Sequence, residues 1–365
     1  MGVAGEKGVF RELRLYPKPL EDSLLGNSYG ATYAHERYNA ESLEYRLRRF
    51  KPDAIYVWNM RGLSKSLLFR LQDRDKRVVY DLHSDWLLPE VFNQDPWYRW
   101  WFDNRSVRSK AYRLLIRSIG RARRVLGMLP IGEAKNLRLD HSYVVSEWLR
   151  DHLTEAGISR VEKLPVIYPV VDTRKLSPKT SFQKRSHFAW AGRLNEAKGA
   201  DIAVDAVGIL KERGIQVSLD LFGMGEPSER KAKRERIEAA GLIDQVTMRG
   251  IRPGELAEHY HHYDALLYTS RQAEPFSMTV LEAMHSKLPC LVANVGGNQE
   301  ILEHGRDALL FEADSADALA DTIADFLQMD DCGQALAENF IQKLHVADSV
   351  DTFCQQIEPH FTAKK

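Results

Sequence analysis

Glu274 and Glu282 bracket the stretch Ala273-Glu-Pro-Phe-Ser-Met-Thr-Val-Leu-Glu-Ala-Met284, which follows a short apolar run, Asp264–Ser270. The run reads as a buried strand. Pro275 suits a first helical turn, and Met278, Leu281, Ala283 and Met284 favour helix behind it. A helix that opens just after a strand presents free N–H groups and partial positive charge, a seat for phosphate. The two glutamates admit two readings: ligand-binding carboxylates, or a first-turn acid that complements the helix dipole and a surface residue further on. Two cations, Arg193 and Lys198, follow a second strand, His187–Ala191, through Gly192. A guanidinium fork and an ammonium point charge can converge on one diphosphate. The spacing is not that of a Walker loop.

Other candidates are weaker. Phe222-Gly223-Met224-Gly225 holds two glycines of a dinucleotide fingerprint and reads as a tight turn beside a nucleotide base. Gly296-Gly297 reads as a nest for an anion. His83 lies at the carboxyl end of a strand, where open α/β sheets place ligands; the alternative is a loop histidine bonded to backbone. Asp73-Arg74-Asp75 has the Asp-x-Asp form that can hold Mg²⁺, but it precedes its strand and reads as a solvated turn. His259, His261 and His262 share one helical pattern without a carboxylate or cysteine motif, so no metal is expected.

The elements that must position these residues fall into two sets. In the first half a half-exposed strand is expected at Val9–Tyr16, a helix near Glu41–Phe50, buried strands at Ala54–Trp58 and Val78–Leu82 with a helix at Ser64–Leu71 between them, a strand at His141–Ser146 and a helix at Glu147–Ala156. Asp95–Leu126 is aromatic, then basic, with interleaved apolar residues. Such a helix can lie on an anionic membrane or simply show a solvated face. Thr173–Arg185 is polar and aperiodic, a linker. The second half alternates regularly. Strands are expected at His187–Ala191, Val217–Phe222, Gln245–Arg249, Ala265–Thr269, Cys290–Ala293 and Ala308–Phe311. Helices fall at Ala200–Arg213, Glu229–Ala240, Glu255–Tyr263, Ser277–His285 and Asn298–His304, with a last one near Ser349–His360. The fold class is α/β: two Rossmann-like, doubly wound domains facing a cleft, at 1–172 and 186–345 around a linker at 173–185. Residues 346–365 form a helix packing back on the first domain.

Composition sets the outer bounds. The 365 residues are 44% hydrophobic and 28% charged, enough for two cores. Lys+Arg and Asp+Glu balance at 51 each, which gives no electrostatic reason for a nucleic-acid partner. Three cysteines stand far apart without metal spacing, as in a reducing compartment. No leader pattern or run near 18 apolar residues occurs, so the expectation is a cytoplasmic protein.

Taken together, Glu274 and Glu282 with seven residues between them, Gly192-Arg193 with Lys198-Gly199, Val145-Ser146-Glu147, Tyr168-Pro169 with Asp172, and Gly296-Gly297 with Glu300 resemble the retaining GT-B glycosyltransferases of family 4, the glycosyl transferases group 1. The resemblance runs from about Val144 to Leu344. It implies transfer of a sugar, of hexosyl type, from a nucleotide-diphosphate donor to an acceptor hydroxyl with retention, in bacterial glycan or envelope polysaccharide synthesis. Arg193 and Lys198 would bind the donor diphosphate and stabilise its departing charge. N–H groups from Phe276 through Ser277 and Met278 to Thr279 would face phosphate and sugar, Glu282 the ribose hydroxyls, and Glu274 the donor sugar. His83 matches a first-domain histidine that approaches that sugar. Gly192 lines the donor site, and backbone at Gly223, Gly250 and Ile251 lies near the base. In this family the leaving phosphate is thought to take the acceptor proton, so no cofactor, metal or protein base is implied. The basic 97–126 segment suggests a lipid-linked or anionic glycan acceptor and peripheral contact with the inner face of the membrane.

A glycosidase also wants two carboxylates, ~5–9.5 Å apart. Eight residues of helix would separate Glu274 and Glu282 by roughly 12 Å instead. The sequence departs from the family at Ser277 and Val170, where glycine is common, and before Val9, where the family's first strand and glycine-rich loop have no counterpart. The expectation is therefore a first domain truncated at its start, with an unpaired edge on strand Ala54–Trp58. The alternative function is a catalytically inactive remnant that only binds nucleotide or nucleotide-sugar.

Overall fold

The computed structural model describes residues 12–16, 29–72, 74, 76–102, 130, 132–183, 185–250, 256–331, 333–343 and 350–362. They form two compact units. One gathers the residues through Val145 with Leu149–Val166 and the chain from Pro359; the other gathers Ser146–Trp148 and Ile167–Glu358.

In the second unit, β4 (His187–Ala191), β5 (Ser218–Phe222), β6 (Val246–Arg249), β7 (Ala265–Tyr268), β8 (Cys290–Ala293) and β9 (Leu309–Phe311) make one parallel sheet in the order β6-β5-β4-β7-β8-β9. Strand numbering runs along the whole chain, β1 to β3 belonging to the first unit. Because side chains alternate across a strand, Phe188 and Trp190 enter one core while Ala189 enters the other; Leu267, Leu291 and Ala293 oppose Leu266, Cys290 and Val292 in the same way. The helix at Ala200–Glu212 and the helix at Ala316–Gln328 cover the first face together. The helix at Met278–His285 covers the second through Val280, Leu281, Ala283 and Met284. Both faces of the central strands are therefore apolar, the pattern of a parallel sheet buried on two sides.

Two expected helices in this unit are not α-helical. Glu255–Tyr263 is described from Leu256 as 3₁₀ turns, Leu256–Glu258 and Tyr260–His262. Tyr260 and Tyr263, three apart, both enter the core, which a three-residue period allows. Asn298–His304 is a 3₁₀ turn at Gly296–Glu300, opened by Gly296 at φ 70°. Residues 173–185 pack on this unit. Lys179 is buried, its ammonium on the Tyr263 carbonyl at 2.6 Å and its N–H on the Ser286 carbonyl at 2.8 Å.

In the first unit, β1 (Ala54–Val57), β2 (Arg77–Leu82) and β3 (Tyr143–Val144) are parallel in that order, with the helix at Ser66–Gln72 crossing between β1 and β2. The strand expected at His141–Ser146 is only two residues long. The helix expected from Glu41 already begins at Tyr29 and runs to Phe50. Of the strand expected at Val9–Tyr16, the described residues 12–16 are not strand. Their backbone is held by the Asn39 side chain, bonded to both N–H and carbonyl of Arg14, and by the Gly62 carbonyl, 2.8 Å from Tyr16 N. Among the described residues β1 pairs with β2 alone.

The long helix buries Glu36 completely, with the Tyr16 and Ser66 hydroxyls donating to its two oxygens. Burial, and then the nearby Asp95 carboxylate, push the Glu36 carboxyl up to about 8. A carboxyl raised on folding is held best when protonated, so its contribution is intact in acid and is lost as pH rises through about 8. Stability measured by urea unfolding should fall as pH rises from about 4.5 to about 8, and Glu36→Gln, neutral at every pH, should flatten the fall. An unchanged slope in the variant would assign the effect elsewhere.

Candidate active site

The functional candidates of the second unit lie where β4, β5, β7 and β8 end. Gly199 takes φ 68°, and a Cβ there would stand 2.1 Å from the Thr269 carbonyl oxygen, so the loop after β4 presses on the loop after β7. The contact is bonded throughout. Arg271 N–H donates to the Ala197 carbonyl at 2.9 Å, and the Thr269 hydroxyl reaches the Lys198 and Gly199 carbonyls at 3.1 and 2.7 Å while accepting from Trp190 Nε1–H at 2.8 Å. The Arg271 guanidinium adds a bond to the Glu196 carbonyl at 2.9 Å and is itself fixed by Asp201 and Asp314. Burial alone would raise the Asp201 carboxyl, but Arg271 and Lys233 outweigh it and hold it at about 2. This loop is anchored, and Lys198 with it.

Lys198 pairs through Nζ with Glu274 Oε1, and the Tyr268 hydroxyl donates to Glu274 Oε2. Burial, and then Glu274, push the Tyr268 phenol far above its ordinary value, so it stays a donor. Arg193, on the same loop, is exposed and forms no ion pair or hydrogen bond among the described residues. Gly192 N–H donates to the Phe222 carbonyl, and a Cβ on Gly223 would stand 2.4 Å from the Gly192 carbonyl, which places Gly223 against Gly192. Gly250 follows the end of β6; Ile251 lies outside the described residues.

The helix carrying Glu282 begins later than expected. Pro275 precedes it, Ser277 is its N-cap and its hydroxyl accepts from Val280 N–H at 3.3 Å, so serine at the departure from the family caps the helix. Glu274 consequently lies off the helix, and the helical rise does not set its distance from Glu282. The expected row of N–H groups is also partly used: Ser277 N–H donates to Asn298 Oδ1 at 3.3 Å, leaving those of Met278 and Thr279 in the first turn without intrahelical acceptors. Phe276 stacks at a tilt on Tyr168, ring centres 5.8 Å apart. Glu282 is half-buried, its carboxylate accepts no hydrogen bond among the described residues, and burial raises its pKa.

Gly296-Gly297 is not an open anion nest. Gly297 N–H donates to the Glu274 carbonyl at 2.9 Å, and a Cβ there would stand 1.9 Å from the Pro275 carbonyl oxygen. Glu300, just beyond, accepts from the N–H groups of Glu147 and Trp148 and from the Tyr168 hydroxyl, uniting three of the sequence motifs around one carboxylate.

His83 belongs to the first unit, after β2. Its ring stacks on Trp58, centres 4.6 Å apart at 14°, and its Nδ1 lies 3.3 Å from the Asp81 carbonyl oxygen. Sequence reasoning passed over Tyr268, Thr269, Arg271, Asn298, Trp58 and Asp81. A polar run, Thr269-Ser270-Arg271, at the end of an apolar strand was the available signal. The three histidines at 259–262 are not joined by acids: among the described residues no group of three His, Cys, Asp or Glu is placed to hold a metal ion. Asp73, Asp75 and residues 103–129 of the basic segment lie outside the described residues.

Residues 172–343 match the family model described as Glycosyl transferases group 1. The D-inositol 3-phosphate glycosyltransferase of Paenarthrobacter aurescens is 31% identical over 205 residues, covering 51% of this chain and 50% of the relative; the chain thus aligns with half that relative's length. Among solved structures, sucrose-phosphate synthase from Thermosynechococcus elongatus superposes with a TM-score of 0.67 at 19% identity, covering 94% of this chain and 81% of that one. Anabaena HepE in complex with UDP-glucose gives 0.64 at 22%, covering 88% and 80%.

The Gly297 contact can be tested by size alone. Gly297→Ala should cost about 3 kcal/mol by overpacking. Gly214→Ala, with φ 76° but nothing within 4 Å of its Cβ, should cost only about 1 kcal/mol. Equal losses in denaturant melts would show that the loops part freely. The fold is thus shared with GT-B glycosyltransferase structures, and residues 172–343 are similar to the Glycosyl transferases group 1 family.

Proposed function

We propose that the chain is a retaining, family 4 glycosyltransferase that moves a hexosyl-type sugar from a nucleotide diphosphate to an acceptor hydroxyl in bacterial glycan or envelope polysaccharide synthesis. The observation that carries this reading is the Lys198–Glu274–Tyr268 cluster beside an uncommitted Arg193, on anchored loops at the carboxyl end of a parallel sheet. Arg193 and Lys198 stabilise the charge that grows on the departing diphosphate, acting as cations already in place before bond cleavage. Glu274, held from both sides, orients sugar hydroxyls. Met278 and Thr279 N–H groups meet phosphate, and Glu282 accepts from the ribose. The leaving phosphate takes the acceptor proton, so the reading requires no metal. The acceptor belongs with lipid-linked or anionic glycans, and the protein with the cytoplasmic side of the membrane.

A thermal shift with UDP, GDP and ADP in turn tests the donor site. A nucleotide at ~100 times its dissociation constant adds about 2.7 kcal/mol, a rise of several degrees for a unit of this size. One nucleotide should act, and Glu282→Ala should abolish its effect. Binding without sugar transfer in a subsequent screen would favour the alternative, a protein that only holds nucleotide. No shift with any of the three would overturn both.

The pH dependence follows from Glu282. Ribose hydroxyls donate to the ionised carboxylate, and burial raises the pH at which that form is lost. Nucleotide affinity should therefore fall, as pH is lowered, at a pH above that of an ordinary glutamate. Glu282→Gln should bind more weakly and show a flat profile in calorimetric titrations; a profile as steep as the parent's would remove Glu282 from the role.

A further inference from the structure

In the first unit, Asp81 in β2 is buried, and the Tyr56 hydroxyl donates to its Oδ2 at 2.6 Å. Its other oxygen, Oδ1, is buried with no hydrogen-bond partner. An unsatisfied carboxylate oxygen in that setting is costly unless something uses it. His83, two residues on, has its Nδ1 3.4 Å from that oxygen and 3.3 Å from the Asp81 backbone carbonyl oxygen. Trp58, at the end of β1 and 59% exposed, covers one face of the imidazole. The ring is therefore bounded on the Nδ1 edge by two acceptors and on one face by an indole. Nε2 is left as its uncommitted nitrogen.

We propose that Asp81 is a positioning residue for His83: it holds the proton on Nδ1, so that the neutral ring presents Nε2 as a hydrogen-bond acceptor for a ligand hydroxyl. A histidine's free nitrogen takes the role opposite to the one its partner fixes. Both acceptors at Nδ1 demand a proton there. Trp58 opposes rotation of the ring out of this arrangement, and the Tyr56 and Tyr143 hydroxyls, 2.8 Å apart, hold the carboxylate from the far side. The hydroxyl presented to Nε2 is that of the donor sugar, which rests on the glycosyltransferase reading; the tautomer does not.

Two-bond ¹H–¹⁵N correlation spectra of the imidazoles, taken at alkaline pH where the ring is neutral, decide the point. His83→Gln assigns the signal by deleting it. The expected pattern is a protonated Nδ1 and a bare Nε2 in the parent, with the Nδ1–H fraction falling in Asp81→Asn. A parent ring protonated at Nε2 overturns the proposal, and the parent spectrum suffices if the variant does not fold. Binding supplies the second arm. Asp81→Asn and His83→Gln should each lower affinity for UDP-glucose relative to UDP by about fivefold, the worth of one neutral hydrogen bond. If the tautomer is as expected but His83→Gln leaves that ratio unchanged, the donor-sugar role of His83 fails and the positioning role of Asp81 stands.

Discussion

Two backbone contacts govern the second unit's carboxyl edge: the Thr269 carbonyl against Gly199, and the Pro275 carbonyl against Gly297. In each, a single methyl group in place of hydrogen would fall within about 2 Å of an oxygen, at 2.1 and 1.9 Å. The loop after β7 is thus gripped on one side by the loop after β4 and on the other by the turn after β8. Lys198 stands next to the first grip and Glu274 next to the second. Their pairing is a consequence of backbone proximity, settled before any side chain chooses a rotamer. The same proximity brings Asn298 to the Ser277 N–H and so sets where the helix carrying Glu282 can start.

The charges at this edge fall into two kinds. Asp201, Arg271 and Lys233 form a largely buried set whose hydrogen bonds run to backbone of the anchored loop, and Asp201 is held ionised far into acid. That set fastens structure. Lys198 and Glu274 are also partly buried, but their side chains bind each other and the Tyr268 hydroxyl and no loop backbone. Fastening the loops therefore gives little reason for them to face each other. Preorganisation does: an ammonium and a carboxylate fixed in place need no rearrangement when a charged ligand arrives.

The sequence made the second unit legible because its strands are apolar on both faces and its helices intervene at even spacing. All six strands lie within a residue of where hydrophobic runs put them. It failed where period and packing disagree. Tyr260 and Tyr263 enter the core from 3₁₀ turns that helical spacing disguised, and Gly296-Gly297, which read as a nest, serves as a place for another backbone to lie. Pro275 looked like a first helical turn because proline there is common, yet the capping hydroxyl of Ser277 decides the start. In the first unit, strands of two to six residues and long-range bonds such as Asn39 to Arg14 leave weak local traces. The chemistry-bearing residues were found largely through resemblance. Tyr268, Arg271 and Asp81 act through other residues, and nothing in their spacing reports that.

Two carboxylates near the candidate sites keep oxygens without a protein hydrogen bond. Glu282 in the second unit is half-buried and accepts no hydrogen bond among the described residues, and Asp81 in the first keeps one buried oxygen unmet. Among other buried acids, Asp220 accepts from Arg249 and Tyr263 and Glu36 from Tyr16 and Ser66, whereas Asp264 accepts backbone N–H groups at Oδ2 and keeps Oδ1 without a hydrogen bond. Desolvating a carboxylate is costly, and proteins normally offset it with donors. For Glu282 the proposed donor is a ribose hydroxyl. For Asp81 it is the imidazole beside it, which then passes the constraint on to whatever meets Nε2.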